Sequence, residues 1–467
     1  MNPPDIKKIY IIAICGTGMA SLAGLLKEAG YRVTGSDSGI YPPMSVLLEK
    51  SGIAIKPGYK KENIAGDIDL AVIGNAISAN NEEAQAIIDK GIPYISFPQA
   101  LCRFFLEGRK PLVVAGTHGK TTIASLLSWV FYRAGKKPGF MIGGWLKEFD
   151  SNYRYPEGEY FIVEGDEYDT AFFDKGPKFL HYRPYAAILT GIEFDHADIF
   201  RDLEHVKSAF GDFLACLKPP GFLLAEHSDK NSKDILHRTS GAIETYGFSE
   251  GADWSVQSYR REGERGSFTL KHNGNLVGNF RVAMIGKHNA LNAAAVAVMG
   301  LKCGLTEQEI GSALECFPGI KRRQEVLGQK SGVTVIDDFA HHPTAIQFTI
   351  EAVREAYPQG RIWAVFEPRS ATARRKVFQE SLLKCFTQAD KVIIAGLFSP
   401  GKIKPEERLN PESLVREMNK LGMDARFIPG TDEIVETIVR ESQPGDTALI
   451  MSSGGFDDIH QKLLNKL

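Results

Sequence analysis

The chain lacks the long apolar runs, the cysteine pairs and the charge imbalance that would place it quickly in a class. None of its 467 residues lie in a stretch that reaches the roughly 18 apolar residues a membrane-spanning helix needs. Lys7 and Lys8 do precede an apolar run, as in a secretory signal, but Gly16, Thr17 and Gly18 interrupt it. A buried strand running into a glycine-rich turn accounts for that pattern better, and a cytoplasmic location is expected. Six cysteines stand at 15, 102, 216, 303, 316 and 385, none as a C-x-x-C pair and none with histidines at zinc-site spacing. That excludes a disulfide scaffold and suits a reducing compartment. Net charge is −2, so no basic surface points to nucleic acid or to an anionic membrane. There is no internal repeat and no low-complexity tract.

What is present is ordinary globular composition, 43% hydrophobic and 24% charged. At roughly 150 residues per domain the length suggests three domains. Apolar runs alternate with helical patterns in the βαβ rhythm of parallel sheets. In the first block, 1–108, Ile9–Ile14, Arg32–Ser36 and Asp69–Ile73 read as strands and Met19–Ala29 as a helix. It ends at the polar linker Glu107-Gly108-Arg109-Lys110. The second block, 109–319, restarts with a strand at Leu112–Ala115 and a helix over Lys120–Ala134, with Ile123, Leu126, Leu127 and Val130 on one face. Tyr160–Val163 and Ala186–Leu189 are further strands, the polar stretch Tyr246–Phe280 reads as short antiparallel strands, and a helix covers Ala290–Met299. Pro318-Gly319 opens the third block, 320–467, with strands Val333–Ile336, Ile362–Phe366, Val392–Ile394 and Ala448–Met451. The expected class is therefore α/β: a Rossmann-like N-terminal domain, a central phosphate-loop ATPase-like parallel sheet with a small antiparallel part, and a Rossmann-like C-terminal domain.

The sharpest motif is Gly116-Thr117-His118-Gly119-Lys120-Thr121-Thr122, between a strand and a helix. Backbone N–H groups and a helix N-terminus attract phosphate oxygens there. Lys120 would reach the terminal phosphates of ATP from a solvent-facing loop–helix junction, and Thr121 would offer its hydroxyl to Mg²⁺. The loop is shorter than the full G-x-x-x-x-G-K-[ST] pattern, because Val114 stands where its first glycine belongs. Near the N-terminus, Gly16-Thr17-Gly18-Met19 follows a strand, and Asp37 ends the next one. That resembles a dinucleotide fingerprint, with Ser21 in place of the third glycine. It leaves open a nicotinamide enzyme as a different class, although hydride transfer has no use for a γ-phosphate site. A nucleotide-binding regulator that does not turn over is a further alternative. Cys15 beside this turn reads as core.

The short loop G-T-x-G-K-T-T resembles that of the Mur ligases and folylpolyglutamate synthetases. Glu164-Gly165-Asp166-Glu167-Tyr168-Asp169 resembles the acidic motif of the Mur ligases, and Glu193-Phe194-Asp195-His196 their E-x-D-H motif. His288-Asn289-Ala290-Leu291-Asn292-Ala293-Ala294 and Asp337-Asp338-Phe339-Ala340-His341-His342-Pro343 resemble two later motifs in the same order, so the likeness to the Mur ligases spans the chain. It implies an ADP-forming ligase that uses ATP and Mg²⁺ to activate the lactyl carboxylate of UDP-N-acetylmuramate. It also implies roles. Lys120, Glu164 and His196 would be catalytic, with Thr121 on one Mg²⁺ and Glu164 and His196 on a second. Asn289 and Asn292 would lie at the adenine, Asp338 at the ribose and Arg323 at a phosphate. Gly16, Thr17, Gly18, Met19 and Asp37 would hold the UDP-sugar, and His342, Arg369 and Arg374 the amine substrate. That amine is L-alanine in some members and the tripeptide L-alanyl-γ-D-glutamyl-meso-diaminopimelate in others. The strings Glu164–Asp174, Phe366–Arg369 and Ser453–Leu463 are similar to the tripeptide-adding members. Several Mur ligases carry a carbamylated lysine. Lys207 falls about three residues early for it, where Phe210 would align, and is not assigned that role.

Overall fold

The computed structural model describes residues 6–64 and 66–467, without the side chain of Lys402. They divide into two compact units. The first comprises the chain up to Glu193, Glu204–Trp254 and Ala295–Ala313, and the second Phe194–Leu203, Ser255–Ala294 and Leu314–Leu467.

In the first unit, a parallel sheet runs in the order Ala54–Pro57, Arg32–Asp37, Lys8–Ile12, Leu70–Ile73, Tyr94–Ser96. Its central strands are continuous apolar runs because both faces are covered. The first strand stops at Ile12 rather than Ile14, since Ala13 takes a left-handed φ of 64°. Helix Thr17–Glu28 buries every residue from Met19 to Leu26. A second sheet runs Ala242–Gly247, Phe222–Glu226, Ala186–Leu189, Lys110–Ala115, Tyr160–Glu164, Gly139–Leu146, Ser151–Arg154. All its pairings are parallel except the last, a hairpin. Phe172 and Phe173 from this part pack on the core of the first sheet, and Tyr153 lies so close to Gly24 that a Cβ there would be 2.2 Å from its ring. Helix Lys120–Arg133 is buried from Thr121 to Phe131, not on one face alone. Ser128 is tolerated inside because its hydroxyl donates to Ala124 O at 2.7 Å.

The second unit holds an antiparallel meander, Trp254–Glu262, Arg265–His272 and Asn275–Val282, whose first strand begins at the last residue of the first unit. It also holds a sheet in the order Glu325–Lys330, Val333–Asp338, Thr447–Met451, Ile362–Phe366, Lys391–Ile394, Ala425–Phe427. Only the Glu325–Lys330 edge strand is antiparallel. Successive side chains face opposite sides. Ile336, Ala364, Phe366 and Leu449 meet helices Pro343–Ala356, Gln379–Cys385 and Pro411–Lys420. Val335, Trp363, Val365 and Ile450 meet helices Thr431–Glu441 and Ile459–Lys466. Strand Thr447–Met451 therefore sends its chain to one face while both neighbours send theirs to the other. That is a topological switch point, where open α/β sheets leave a crevice at the carboxyl ends of the strands. Among the described residues no helix is long and apolar enough to cross a membrane.

Candidate active site

The phosphate loop is positioned by strand Lys110–Ala115, which lies between two parallel neighbours. Its register sets Ala115 beside Leu189 and Val114 beside Glu164. Three segments thus leave the sheet side by side: the loop 116–119, the acidic run after Glu164, and Thr190–Glu193. Gly116 has φ 127° and sits so close to its neighbour that a Cβ would lie 2.2 Å from Thr190 Oγ1. Only glycine fits there. Gly119 caps helix Lys120–Arg133 with φ 76°. Thr117 N donates to Gly191 O at 2.8 Å, and Glu193 N donates to Thr117 Oγ1 at 2.8 Å. Thr190 Oγ1 donates to the carbonyl of His118 at 2.5 Å, and His118 Nε2 lies 3.3 Å from Glu193 Oε1. Thr122 is buried in the first turn. The first N–H groups of the helix have no partners within it and carry the positive end of its dipole, which makes this turn an anion seat.

The charged groups around the loop are already cross-linked. Thr121 Oγ1 donates to Glu164 Oε2 at 3.1 Å, and Gly143 N donates to Glu164 Oε1 at 2.6 Å. Lys178 pairs with Asp166 at 2.7 Å. Lys120 is not solvent-facing as the sequence suggested. Its side chain is 17% exposed, and its ammonium donates to Gly116 O at 2.5 Å and to both oxygens of Glu167 at 3.2 Å. Burial acts to lower the Lys120 pKa, but the carboxylates of Glu167, Glu164 and Asp166 outweigh it, so the group stays charged. Glu167, only 4% exposed, is a functional candidate that the sequence reading did not single out. Its acidic motif carries nothing that separates Glu167 from Glu164. Lys207 pairs with Glu204 and Asp234 on the surface.

At the N-terminal glycine turn, Asp37 shapes the loop. Cys15 N donates to its Oδ2 at 2.8 Å and Gly39 N to its Oδ1 at 2.9 Å. Ser21, which replaces the third glycine of the fingerprint, is buried and donates to Thr17 O at 2.8 Å. A Cβ at Gly18 would lie 3.3 Å from the Phe97 ring, and Met19 is buried. Burial, with Asp37 beside it, pushes the Cys15 thiol up to about 11, so it is an inert core thiol.

The remaining candidates lie in the second unit. His196 adopts φ 54°, and its N–H donates to Asp195 Oδ1 at 2.7 Å. Burial acts to raise the Asp195 carboxyl, but His196, His341 and His342 hold it well below the usual carboxylate range. His342 Nδ1 accepts from Thr344 N at 3.3 Å and caps helix Pro343–Ala356, and its Nε2 lies 3.4 Å from Phe194 O. Helix Lys287–Lys302 starts three residues before the Ala290 read from sequence, so Asn289 lies inside it and does not cap it. Asn289 donates to Ile285 O at 2.8 Å, and Asn292 donates to Asn289 Oδ1 at 3.2 Å, as residues sharing one face should. Asp338 accepts from Gln324 N at 2.8 Å and Ala340 N at 2.7 Å, and burial raises its pKa. It thereby ties the Arg322–Gln324 segment to the start of its own loop. The Arg323 guanidinium lies 4.8 Å from the Phe339 ring centre. At the switch-point edge, Arg369 stacks on Phe398 at 3.6 Å, 3.5 Å from Glu367. Arg374 donates to the carbonyls of Phe398 and Ser399 at 3.0 and 2.8 Å.

Residues 8–108, 114–300 and 322–454 match, in order, the Mur ligase family catalytic domain, the Mur ligase middle domain and the Mur ligase glutamate ligase domain. The chain is 38% identical over 461 residues to the UDP-N-acetylmuramate–L-alanyl-γ-D-glutamyl-meso-2,6-diaminoheptandioate ligase of Escherichia coli strain K12, covering 98% of each. The chain belongs to the Mur ligase family. This Mur ligase is also 34% identical over 458 residues to the UDP-N-acetylmuramate–L-alanine ligase of Carboxydothermus hydrogenoformans, covering 98% of this chain and 96% of that one. Its fold matches the crystal structure of a murein peptide ligase from Psychrobacter arcticus 273-4 with a TM-score of 0.72 at 33% identity, over 98% of both chains. The α/β architecture expected from the sequence is the one found.

Proposed function

We propose that this Mur ligase joins the lactyl carboxylate of UDP-N-acetylmuramate to the amino group of L-alanyl-γ-D-glutamyl-meso-diaminopimelate in the cytoplasm, returning recycled peptide to cell-wall synthesis. The observation that carries the ligase chemistry is the pair of cross-links Lys120–Glu167 and Thr121–Glu164 at the carboxyl edge of one parallel sheet. The tripeptide is favoured over L-alanine by the relative at 38% identity, against 34% for the alanine-adding one.

The γ-phosphoryl group of ATP passes to the lactyl carboxylate, and ADP leaves. The peptide amine then attacks the acyl phosphate, loses a proton, and expels phosphate as the amide forms. Lys120 and the helix N-terminus lower the barrier by facing the oxygens on which charge accumulates. Thr121 Oγ1 and Glu164 Oε2 stand 3.1 Å apart. Both are hard oxygen donors of the kind Mg²⁺ takes, so Thr121 would hold one Mg²⁺ and Glu164 a second. A bound Mg²⁺ would neutralise phosphate charge. Asn289, Asn292, Asp338 and Arg323 are assigned to the nucleoside and its phosphates, Asp338 through the backbone it fixes, and His196 to a metal. The glycine turn Gly16–Met19, shaped by Asp37, is assigned to the diphosphate of the sugar nucleotide. Arg369 lies at the switch-point edge and suits a planar carboxylate of the peptide. Arg374 supports it by holding the loop that carries Phe398.

The test is ADP release with UDP-N-acetylmuramate, ATP and each amine at matched sub-saturating concentration. A higher kcat/KM for the tripeptide is expected. A higher value for L-alanine replaces this reading with the biosynthetic alanine-adding one.

A further inference from the structure

We propose that Glu167 is the resting counter-ion of Lys120, holding the ammonium against the backbone of the phosphate loop until a nucleotide phosphate displaces it. This rests on the reading of the loop as the ATP site. An ammonium has three N–H donors and no acceptor. In the structure three acceptors face it: Gly116 O at 2.5 Å and the two Glu167 oxygens at 3.2 Å. Its donor capacity is filled from within the protein, so a phosphate oxygen gains Lys120 only when an existing bond breaks. The carboxylate is the partner that gives way, because Gly116 O belongs to a backbone pinned beside Thr190.

The exchange carries a penalty that shapes what can bind. Glu167 is nearly enclosed, and a buried carboxylate that loses its cation is destabilised. Glu164 and Asp166 add negative charge close by, since both act on the Lys120 ammonium. A nucleotide arriving without a divalent cation brings its phosphates into this acidic neighbourhood uncompensated. The protein is therefore built to take nucleotide together with its cation, and to give ADP up readily as Glu167 recaptures Lys120. A purely structural salt bridge would have no such effect on nucleotide release.

The test is calorimetric ADP binding to the full chain, with and without Mg²⁺, using wild type, Glu167→Gln and Glu167→Asp. Glu167→Gln removes the charge at nearly constant shape and is expected to tighten ADP five- to ten-fold, with a larger gain in the absence of Mg²⁺. Glu167→Asp withdraws the charge by one methylene and is expected to give a smaller gain. It serves alone if the glutamine variant does not fold. In a Lys120→Met background, which has no ammonium to release, the gain from Glu167→Gln is expected to shrink at least three-fold. Equal or weaker ADP binding in a folded Glu167 variant overturns the proposal, as does an undiminished gain in the Lys120→Met background. Failure of the wild type to bind ADP would instead sink the ATP-site reading.

Discussion

The two carboxyl-edge regions of this ligase use their cations differently. At the phosphate loop, Lys120 is paired with a carboxylate, and Thr121 donates to another. At the switch-point edge of the second unit, Arg374 is bound to the backbone carbonyls of Phe398 and Ser399. A cation on a carboxylate can trade one anion for another with little change in its own charge balance. A cation on carbonyls has become part of the loop it braces, and removing it unties backbone. The first arrangement suits a site that exchanges phosphates. The second suits a rim whose shape must persist, leaving Arg369 on its aromatic platform to meet substrate.

The severest break in that contrast is Lys120→Ala. It is expected to reduce ADP formation about 10³-fold. It also removes the cation paired with the nearly enclosed Glu167 carboxylate, so a stability loss of about 3 kcal/mol is expected in denaturant unfolding. Near-native turnover would remove Lys120 from the chemistry. Next come Glu164→Gln and His196→Ala, each expected to lower kcat about 10²-fold and to raise the Mg²⁺ needed for half-maximal rate. Unchanged Mg²⁺ titrations would make that residue structural. At the other edge the two arginines should separate. Arg374→Ala is expected to cost about 1–2 kcal/mol of stability through its lost carbonyl bonds. Arg369→Ala should leave stability within about 1 kcal/mol and raise the KM for tripeptide roughly ten-fold, the range of one charged contact. Identical behaviour of the two variants would mean that the two arginines play the same part. The smallest effect concerns pH. Burial lowers the His288 pKa from 6.5 to about 4, so the unfolded chain binds the extra proton first. Its contribution to stability is complete above pH 6.5 and is lost as pH falls towards 4, by on the order of 1–2 kcal/mol for this partly exposed ring. A His288→Gln variant should show a flatter melting temperature between those limits.

The sheets and the phosphate loop were legible because their signals are local: continuous apolar runs, then glycine, then a helix. Errors arose where the fold overrides locality. The apolar run Ile9–Ile14 outlasts the strand by two residues, since nothing in Ala13 announces a left-handed backbone. The short edge strands Ala54–Pro57 and Ala425–Phe427 carry too few residues for a period to show. Helix Lys120–Arg133 looked amphipathic, yet it is buried from Thr121 to Phe131 because Ser125 and Ser128 are small and Ser128 bonds within the helix. The ligating residue types could be named from motifs. That Glu167 neutralises Lys120 across 47 positions of chain could not, because that proximity is made by strand register alone.

The stitching of Thr117 to Gly191 and Glu193 also sets a rhythm of opening. Amides in segments far apart in sequence share one small hydrogen-bonded knot, so solvent can reach none of them until the whole knot loosens. In deuterium, the Thr117 and Glu193 amides should lose their protons at a common rate, and Thr117→Ala should quicken Glu193. The Glu193 amide is thus a built-in clock for the phosphate loop, readable without any substrate at all.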